Sequence, residues 1–480
     1  MYSRTRYSYI RWILYAIYSI VPFTFFSYLT NLPRIIVYFY INSEQYLQIK
    51  EEATATLTAF SLGLFIGYVI LGICIDWLDA YVVLYFSITI LSMIFLWSAQ
   101  IVSLKYLIIL KFLQGFFLAG IKICIPTLLK LLSQNEIMEI QENYESLQEN
   151  FRHQTSILND ILAKYTELPF IKQNKQAIEH LHTKVDEINE LIVLENDFPN
   201  LMKQRFFSAL NKIAFLRSFC IAVSPFIGSI LSRISVIGWK IHFVIIANYL
   251  IILQLCFILI PKSAFYAVNL CKKANIVICF KKFFSKSTIL LLSIIGGVAD
   301  GMFGGFLCVA VNNLIQTYHK NFRFLFSITI LIMMCVVTII LILVSRRFKN
   351  KYLILRYTHY VGLALSISFV MTILIFKEQI SYICLLFFAT LIASCLFLVC
   401  YAVQTIVMTS SIHHANIATF LGFNESIWGN IIGYAASFFE ILNISSKVND
   451  YFSFAIFTTI VFCCLNFLLF IIDNRFRDEI

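Results

Sequence analysis

Five charged residues stand inside strongly apolar stretches of this sequence, where each would be costly in a membrane. They are Lys111, Lys122, Arg217, Asp300 and Glu425. A charged side chain at the centre of a membrane span costs about 2.5 to 3.5 kcal/mol on insertion scales, so it needs a partner, water or a function. The carboxyls of Asp300 and Glu425 could carry protons if water reached them alternately from each side. Each could equally be a structural group bonded to a neighbouring helix.

The three cations precede the two carboxylates along the chain. No apolar stretch contains both a cation and a carboxylate of this set. This order predicts cations on one wall of a central cavity and carboxylates on the other. Such a cavity could hold an anionic or zwitterionic solute, or its charges could pair internally when it is empty. For Lys122 the alternative is an amine that reaches the membrane surface along its flexible stem. Further polar residues that could line the cavity are Gln404, Asn424 and Trp428. Packing between helices would also explain these three.

The composition indicates that water is not the main solvent of this protein. The chain has 480 residues, of which 60% are hydrophobic and 13% are charged, whereas soluble domains have about 25% charged residues. Apolar stretches of roughly 20 residues, enough to cross a hydrocarbon layer of about 30 Å, recur along the chain. They predict an all-α membrane protein whose twelve or so spans lie at 10–36, 52–76, 80–100, 104–131, 207–232, 237–260, 287–316, 322–345, 352–376, 380–407, 417–440 and 451–473.

Lysine and arginine residues gather in one set of alternate connections between these stretches. They are frequent before the first stretch, in 261–286 and in 346–351. Because basic residues favour the cytoplasmic side, both termini are expected in the cytoplasm. The sequence therefore predicts a multi-pass protein of the plasma (cell inner) membrane, with the lipid bilayer as its main partner. The formal charge of +11 then requires no nucleic-acid partner.

Two polar connections divide the chain into predicted units. Segment 133–206 contains two runs of apolar residues at helical spacing, separated near Pro169. It predicts a coiled-coil-like helical hairpin on the cytoplasmic side, between spans four and five, where a protein partner could bind. A solvated spacer is the alternative. Segment 261–286 is basic and would suit an amphipathic linker on an anionic membrane surface. The remaining units are an N-terminal half in two pieces, 1–132 and 207–260, and a C-terminal half, 287–480.

Three short motifs lie where one family of transporters carries its own. Gly72 and Asp76 match two positions of that family's GxxxDRxGR turn after the second span. The segment KFLQG, which ends at Gly115, is similar to its RxxQG segment in the fourth span. The segment SPFIG, which contains Pro225 and Gly228, is similar to the GPxxGG signature of its antiporters in the fifth span. On these residues the sequence resembles the major facilitator superfamily.

The resemblance implies two six-helix halves around a central cavity and secondary active transport of a small solute by alternating access. It implies gating roles for Gly72, Asp76, Gly115, Pro225 and Gly228. The segment around Pro225 resembles the signature of the drug and metabolite proton antiporter branch. This resemblance favours proton-coupled export. Proton-coupled uptake of an anionic nutrient is an alternative. A different class is a non-transporting docking or sensing protein that uses the cytoplasmic hairpin.

No motif indicates catalysis, a cofactor or a metal ion. The sequence has no nucleophile elbow, no phosphate-binding loop and no paired carboxylates of the kind that enzymes use. Its 13 cysteines form no CxxC pair and no Cys/His metal spacing, so packed, reduced thiols are expected. The sequence thus predicts a protein that is not an enzyme, whose partners are lipid, protons and a small solute that is anionic in one interpretation.

Overall fold

The computed structural model describes most of the chain. The described residues are helical almost throughout. The described segments are 2–41, 46–165, 198–234, 238–265, 287–316, 351–376, 382–410, 417–427 and 447–475, with six single positions between 281 and 343. These segments contain no β-strand. Long apolar sequences form helices in a membrane because a helix satisfies its own backbone hydrogen bonds.

Six of the described helices come from the N-terminal part of the chain, and we call them together the N-terminal bundle. They are α1 (Tyr2–Ile41), α2 (Tyr46–Leu78), α3 (Ala80–Gln100), α4 (Leu104–Tyr165), α5 (Phe198–Ile234) and α6 (Gly238–Ile258). Within this bundle α2 packs mainly on α4, α1 packs on α5, and α3 packs on α4 and α6. A 3-10 turn, Lys262–Phe265, follows α6.

Five of the described helices come from the C-terminal part, and we call them the C-terminal bundle. They are α7 (Ser287–Gln316), α8 (Lys351–Phe376), α9 (Tyr382–Ser410), α10 (Ile417–Ile427) and α11 (Lys447–Arg475). In this bundle α9 packs on α7 and α8, and α11 packs on α8 and α7. The short helix α10 differs from the others because it packs most extensively on α2 of the N-terminal bundle.

Eight of the described helices are long and apolar enough to cross a membrane. Shorter apolar stretches lie in α7, at Thr288–Asp300, and in α11, at Thr458–Ile472. The expectation of an all-α membrane protein is therefore confirmed. The predicted eighth span, 322–345, and the second half of the predicted eleventh, 417–440, lie outside the continuously described segments. The division into two six-helix halves stays a prediction.

Glycine allows α2 and α4 to approach closely. A Cβ atom placed on Gly63 would lie 2.0 Å from the Phe112 carbonyl oxygen, and one placed on Gly115 would lie 2.1 Å from that of Phe60. Both contacts are with backbone oxygens, which cannot rotate away as the end of a side chain can. A larger residue at either glycine would therefore force the two helices apart. Gly115, one of the motif residues, thus holds two helices of the same bundle together, as small residues do in membrane proteins.

Helix α4 continues without a break from the membrane into the polar insertion. It runs from Leu104 to Tyr165 and contains Pro126, so the change of polarity at residue 133 does not end it. The first run of the predicted hairpin extends this helix up to Tyr165. The predicted turn near Pro169 and the second run lie outside the described residues.

An ionic cluster fixes the point where α4 enters the insertion. The Glu136 carboxylate accepts a hydrogen bond from Arg11 of α1 and lies 3.2 Å from the Arg205 guanidinium of α5. Its side chain is 4% exposed. One residue earlier, the Asn135 amide donates to the Ala264 carbonyl oxygen at 2.8 Å. These contacts attach the base of the insertion, and the start of the basic linker, to the N-terminal bundle.

Candidate functional site

Two ion pairs connect the N-terminal bundle to the C-terminal bundle. The Lys122 amine of α4 lies 2.7 Å from Oε2 of Glu425 in α10. The Arg217 guanidinium of α5 lies 3.0 Å from Oδ1 of Asp300 in α7. Four of the five charged residues found in the apolar sequence therefore face one another across the boundary between the bundles. Each pair has one cation from the N-terminal bundle and one carboxylate from the C-terminal bundle.

Neighbouring side chains hold these pairs in place. The Gln404 amide of α9 donates to the second Glu425 oxygen at 3.1 Å, so both oxygens of this carboxylate are used. The Lys122 amine lies 5.1 Å from the centre of the Tyr68 ring, and the Arg217 guanidinium lies 5.4 Å from that of Phe397. Aromatic faces attract cations and so reduce the cost of keeping them away from water.

The Arg217–Asp300 pair is the more accessible of the two. Its side chains are 16% and 28% exposed, whereas those of Lys122 and Glu425 are 9% and 14% exposed. Water or a solute that enters between the bundles therefore reaches Asp300 more readily than Glu425. Both pairs join a cation to a carboxylate, but they differ in their exposure to solvent. This difference indicates different roles for the two pairs.

Two adjoining cavities surround the Arg217 side chain. The first lies among α5, α7, α9 and α10 and has about 350 Å³ of empty space, counting the part open to solvent. The second lies among α1, α4, α5 and α9 and has about 420 Å³ by the same count. Arg217 and Gln404 line both cavities, while Asp300, Asn424 and Glu425 line the first. A space between the two bundles that charged and polar residues line is where a transported solute is expected.

Asn424 brings an unused acceptor to the first cavity. Its side-chain oxygen is buried and has no hydrogen-bond partner among the described residues. Buried polar atoms are normally paired, so an unpaired one needs an explanation such as water or a ligand. Trp428, the other candidate in this part of the sequence, lies outside the described residues.

Lys111 lies apart from these cavities. Its amine is 3.4 Å from the centre of the Tyr28 ring and 5.0 Å from that of Phe243, and the residue is 1% exposed. Among the described residues it forms no ion pair. Lys122 follows Lys111 by eleven positions, which corresponds to about 16 Å along a helix. This distance places the two lysines at different levels of the bundle, and only Lys122 meets a carboxylate.

Asp76 joins the end of α2 to the beginning of α10. Its Oδ2 atom accepts hydrogen bonds from the Thr419 backbone amide at 2.7 Å and from the Thr419 hydroxyl at 2.5 Å. The first amides of a helix have no partner inside that helix. Asp76 therefore caps α10 from the other bundle, and a carboxylate is favourable beside a helix N-terminus.

Two facing glycines allow this contact between the bundles. A Cβ atom on Gly422 would lie 2.3 Å from the Tyr68 carbonyl oxygen, and one on Gly72 would lie 3.0 Å from that of Ala418. Any larger residue at Gly422 would push α10 away from α2. The other two motif residues, Pro225 and Gly228, lie within α5, which is helical through both positions.

Several residues at the boundary carry no recognisable signal in the sequence. The Tyr401 hydroxyl of α9 donates to the Asn211 side-chain oxygen of α5, which adds a neutral contact between the bundles. Thr419 is a second example, because hydroxyl residues are common in membrane helices and usually bond to their own helix. Among the described residues, no group of three His, Cys, Asp or Glu side chains is arranged to hold a metal ion.

The fold is similar to solved structures, although the sequence is not similar to known families. Neither protein-family profiles nor curated protein sequences match this sequence. Solved structures do match: a fucose:proton symporter from E. coli aligns over 96% of this chain and 99% of its own, with a TM-score of 0.57 and 11% identity. The chain has the major facilitator fold. The predicted all-α membrane fold is thus confirmed, whereas the cytoplasmic helical hairpin stays a prediction.

Other proteins of the major facilitator fold give similar values. A human organic anion transporter aligns over 96% of this chain and 99% of its own, with a TM-score of 0.55 and 10% identity. A nucleoside transporter aligns over 95% of this chain and 99% of its own, with a TM-score of 0.53 and 14% identity. These proteins differ in their solutes, so the fold alone names no substrate and no branch of the superfamily.

Proposed function

We propose that the chain is a secondary active transporter of the major facilitator superfamily, which moves a small solute by alternating access. The observation that carries this proposal is the pairing of Lys122 with Glu425 and of Arg217 with Asp300 across the boundary between the bundles. A stable structural core would not need charges there, because apolar residues of similar volume often stabilise as well or better. Charges that separate and pair again suit a boundary that opens.

The contact of α2 with α10 is proposed to be the gate that closes one side. Under the predicted topology this side is cytoplasmic, since Asp76 lies at the end of the second span. The Asp76 cap is a short hydrogen bond between the bundles, and the Gly72–Gly422 approach is a close packing contact beside it. Opening would separate them and release α10 from α2, so that solvent could enter between the bundles from the cytoplasm.

Proton coupling is proposed to reside at Glu425. Opening the gate moves α10 away from α2 and α4, and therefore moves Glu425 away from Lys122. An ionised carboxylate left without its cation in an apolar site is unfavourable by several kcal/mol. Binding of a proton removes that charge, so opening and protonation favour each other. Asp300, the other candidate for the proton carrier, is the more exposed carboxylate.

Export is the proposed direction, supported by the likeness of the Pro225 segment to an antiporter signature. Uptake in symport with protons is the second candidate, since one similar structure is a fucose:proton symporter. The proposed location is the plasma membrane, with both termini in the cytoplasm. A non-transporting docking protein is the remaining alternative, and the following experiment distinguishes it.

Transport by the purified chain in proteoliposomes tests this proposal. We expect an imposed pH gradient to drive accumulation of at least one solute from a panel of uncharged, anionic, cationic and zwitterionic compounds. Glu425→Gln should reduce this accumulation at least tenfold while exchange between equal pools survives, because the amide cannot release a proton. The control is Glu51→Gln, an exposed residue at the other end of α2, which should leave both rates unchanged.

Two results would contradict the proposal. A folded protein that moves no solute in either direction would favour the docking alternative. A Glu425→Gln protein that still accumulates solute against its gradient would keep transport but exclude Glu425 as the proton carrier.

A further inference from the structure

The four charges that pair across the boundary between the bundles balance one another, and this balance restricts the solute. The N-terminal bundle provides the cations of Lys122 and Arg217, and the C-terminal bundle provides the carboxylates of Glu425 and Asp300. A solute with a single net charge would face a charge of its own sign from one of the two bundles. A solute with no net charge would not change the balance.

The Arg217–Asp300 pair is where a solute can reach both signs of charge. Arg217 lines both cavities and Asp300 lines the first. Only one short contact, 3.0 Å long, joins the two side chains, while a guanidinium has five N–H donors. Several Arg217 donors have no acceptor among the described residues, and arginine can bind a second carboxylate through two parallel hydrogen bonds.

Separation of the bundles changes what this pair requires. Arg217 belongs to α5 and Asp300 to α7, so alternating access pulls the two charges apart. Each charge is then buried without its partner, an unfavourable state unless something replaces that partner. An uncharged solute replaces neither charge. A molecule with one carboxylate and one ammonium group replaces both, because it fits between them in the orientation that the pair itself defines.

The Asn424 oxygen, which has no partner in the part of the chain that the structure describes, points to the same chemistry. It is a buried acceptor on the wall that also holds Asp300 and Glu425. An ammonium group has three donors and accepts nothing. Asp300 and Asn424 can take two of these donors, whereas a carboxylate would be repelled by this wall. The anionic end of the solute therefore belongs at Arg217.

We propose that the transported solute is a small zwitterion of the amino-acid type, with its carboxylate at Arg217 and its ammonium group at Asp300 and Asn424. This inference rests on the proposed transport function and deepens it. It departs from an anionic nutrient, because Arg217, the cation that lines both cavities, already faces the Asp300 carboxylate.

Matched analogues test the proposal in proteoliposomes. L-amino acids are screened first, and the best one is compared with two analogues, one lacking the amino group and one lacking the carboxylate. For leucine these are 4-methylpentanoate and 3-methylbutylamine. We expect at least one amino acid to be transported, and each analogue to compete with it at least tenfold more weakly.

Variants of the pair distinguish solute binding from a structural role. In Asp300→Asn, Arg217 loses its opposing charge, so the preference should move at least tenfold toward the carboxylate analogue. In Arg217→Gln it should move toward the amine analogue. Lys212→Gln, an exposed position on the same helix, is the control for loss of a positive charge. A purely structural pair would lose stability in both variants without such opposite changes in preference.

The outcomes separate this inference from the function on which it rests. Transport of an uncharged or singly charged solute, with no competition from any amino acid, would overturn the inference and leave the transporter in place. Unchanged preference in folded Asp300→Asn and Arg217→Gln proteins would also overturn it. Absence of transport for every class of solute would overturn both.

Discussion

At the scale of single residues, Asp76 has a role that one substitution can isolate. Asp76→Ala removes the cap of α10 and leaves the Thr419 amide without a partner, at a cost of about 1 to 3 kcal/mol. The closed arrangement should become less populated by about tenfold, since that factor corresponds to about 1.4 kcal/mol. Labelling of a cysteine introduced at Val403, which lines the first cavity, measures this with a thiol reagent added from the cytoplasmic side.

The control for this labelling is Glu52→Ala on the same helix. Glu52 accepts a hydrogen bond from Gln48 within α2 and, among the described residues, forms no ion pair with the C-terminal bundle. Its removal should leave the labelling rate unchanged. An Asp76→Ala protein that labels at the rate of the parent would mean that the cap does not hold the gate closed.

The sequence allowed some of these residues to be found and concealed others, for physical reasons. Charges such as Arg217 and Asp300 stand out because they are rare and unfavourable in apolar stretches. Glu136 does not stand out, since it lies where the sequence has already become polar. The separate position of Lys111 could not be predicted either. Residue type indicates depth in the membrane, but not which neighbouring helix a side chain meets.

At the scale of helices, the packing of α10 on α2 depends on Gly422. Gly422→Ala would place a methyl group against the Tyr68 carbonyl oxygen, which lies 2.3 Å from the position of the new carbon. The backbone cannot yield, so α10 must move away from α2. We expect the same rise in Val403→Cys labelling as for Asp76→Ala, and a transport rate at least tenfold lower.

Gly120→Ala is the matched control for this substitution. Its new methyl group would meet the Ser87 hydroxyl and the end of the Leu71 side chain, at 2.8 and 2.9 Å. These are side chains of the same bundle and can move by rotation. Normal closure in Gly422→Ala, combined with normal transport, would show that α10 does not need its close approach to α2.

The insertion between α4 and α5 should be dispensable for folding. Deleting Glu139 to Glu195 and joining the ends with a short flexible bridge keeps Glu136, Arg11 and Arg205, which fix the base of the insertion to the bundle. We expect a deletion protein that inserts in the membrane and elutes as a single species after detergent extraction. Failure to insert, or degradation, would mean that the segment contributes to the core.

The limits of α4 illustrate why helix boundaries were less predictable than helices. The sequence changes from apolar to polar at residue 133, and that change suggested a new unit. A helix ends where its backbone is interrupted, however, and no proline or glycine occurs between Pro126 and Pro169. Hydrophobicity therefore indicates where a helix leaves the membrane, which is a different question from where it stops.

At the scale of the whole molecule, the predicted topology has a direct test. Both termini and the insertion are expected on the cytoplasmic side, whereas the connection before α11 is expected outside. Cysteines substituted singly for Ser146 and Lys447, in a background without reactive native thiols, should therefore be labelled from opposite sides of the membrane. If both positions react from the same side, the assignment of inside and outside is wrong.

The continuous length of α4 determines how far its end moves when the N-terminal bundle tilts. From Lys122 to Tyr165 the helix contains 43 further residues, which corresponds to about 65 Å at 1.5 Å per residue. If the N-terminal bundle tilts by roughly 10° during a transport cycle, a straight helix of this length swings its far end by about 11 Å. A fluorophore near Tyr165 would then magnify a small rotation at the boundary into a displacement that energy transfer can measure. The proposed transport cycle would therefore be visible as a movement of the end of α4 at Tyr165.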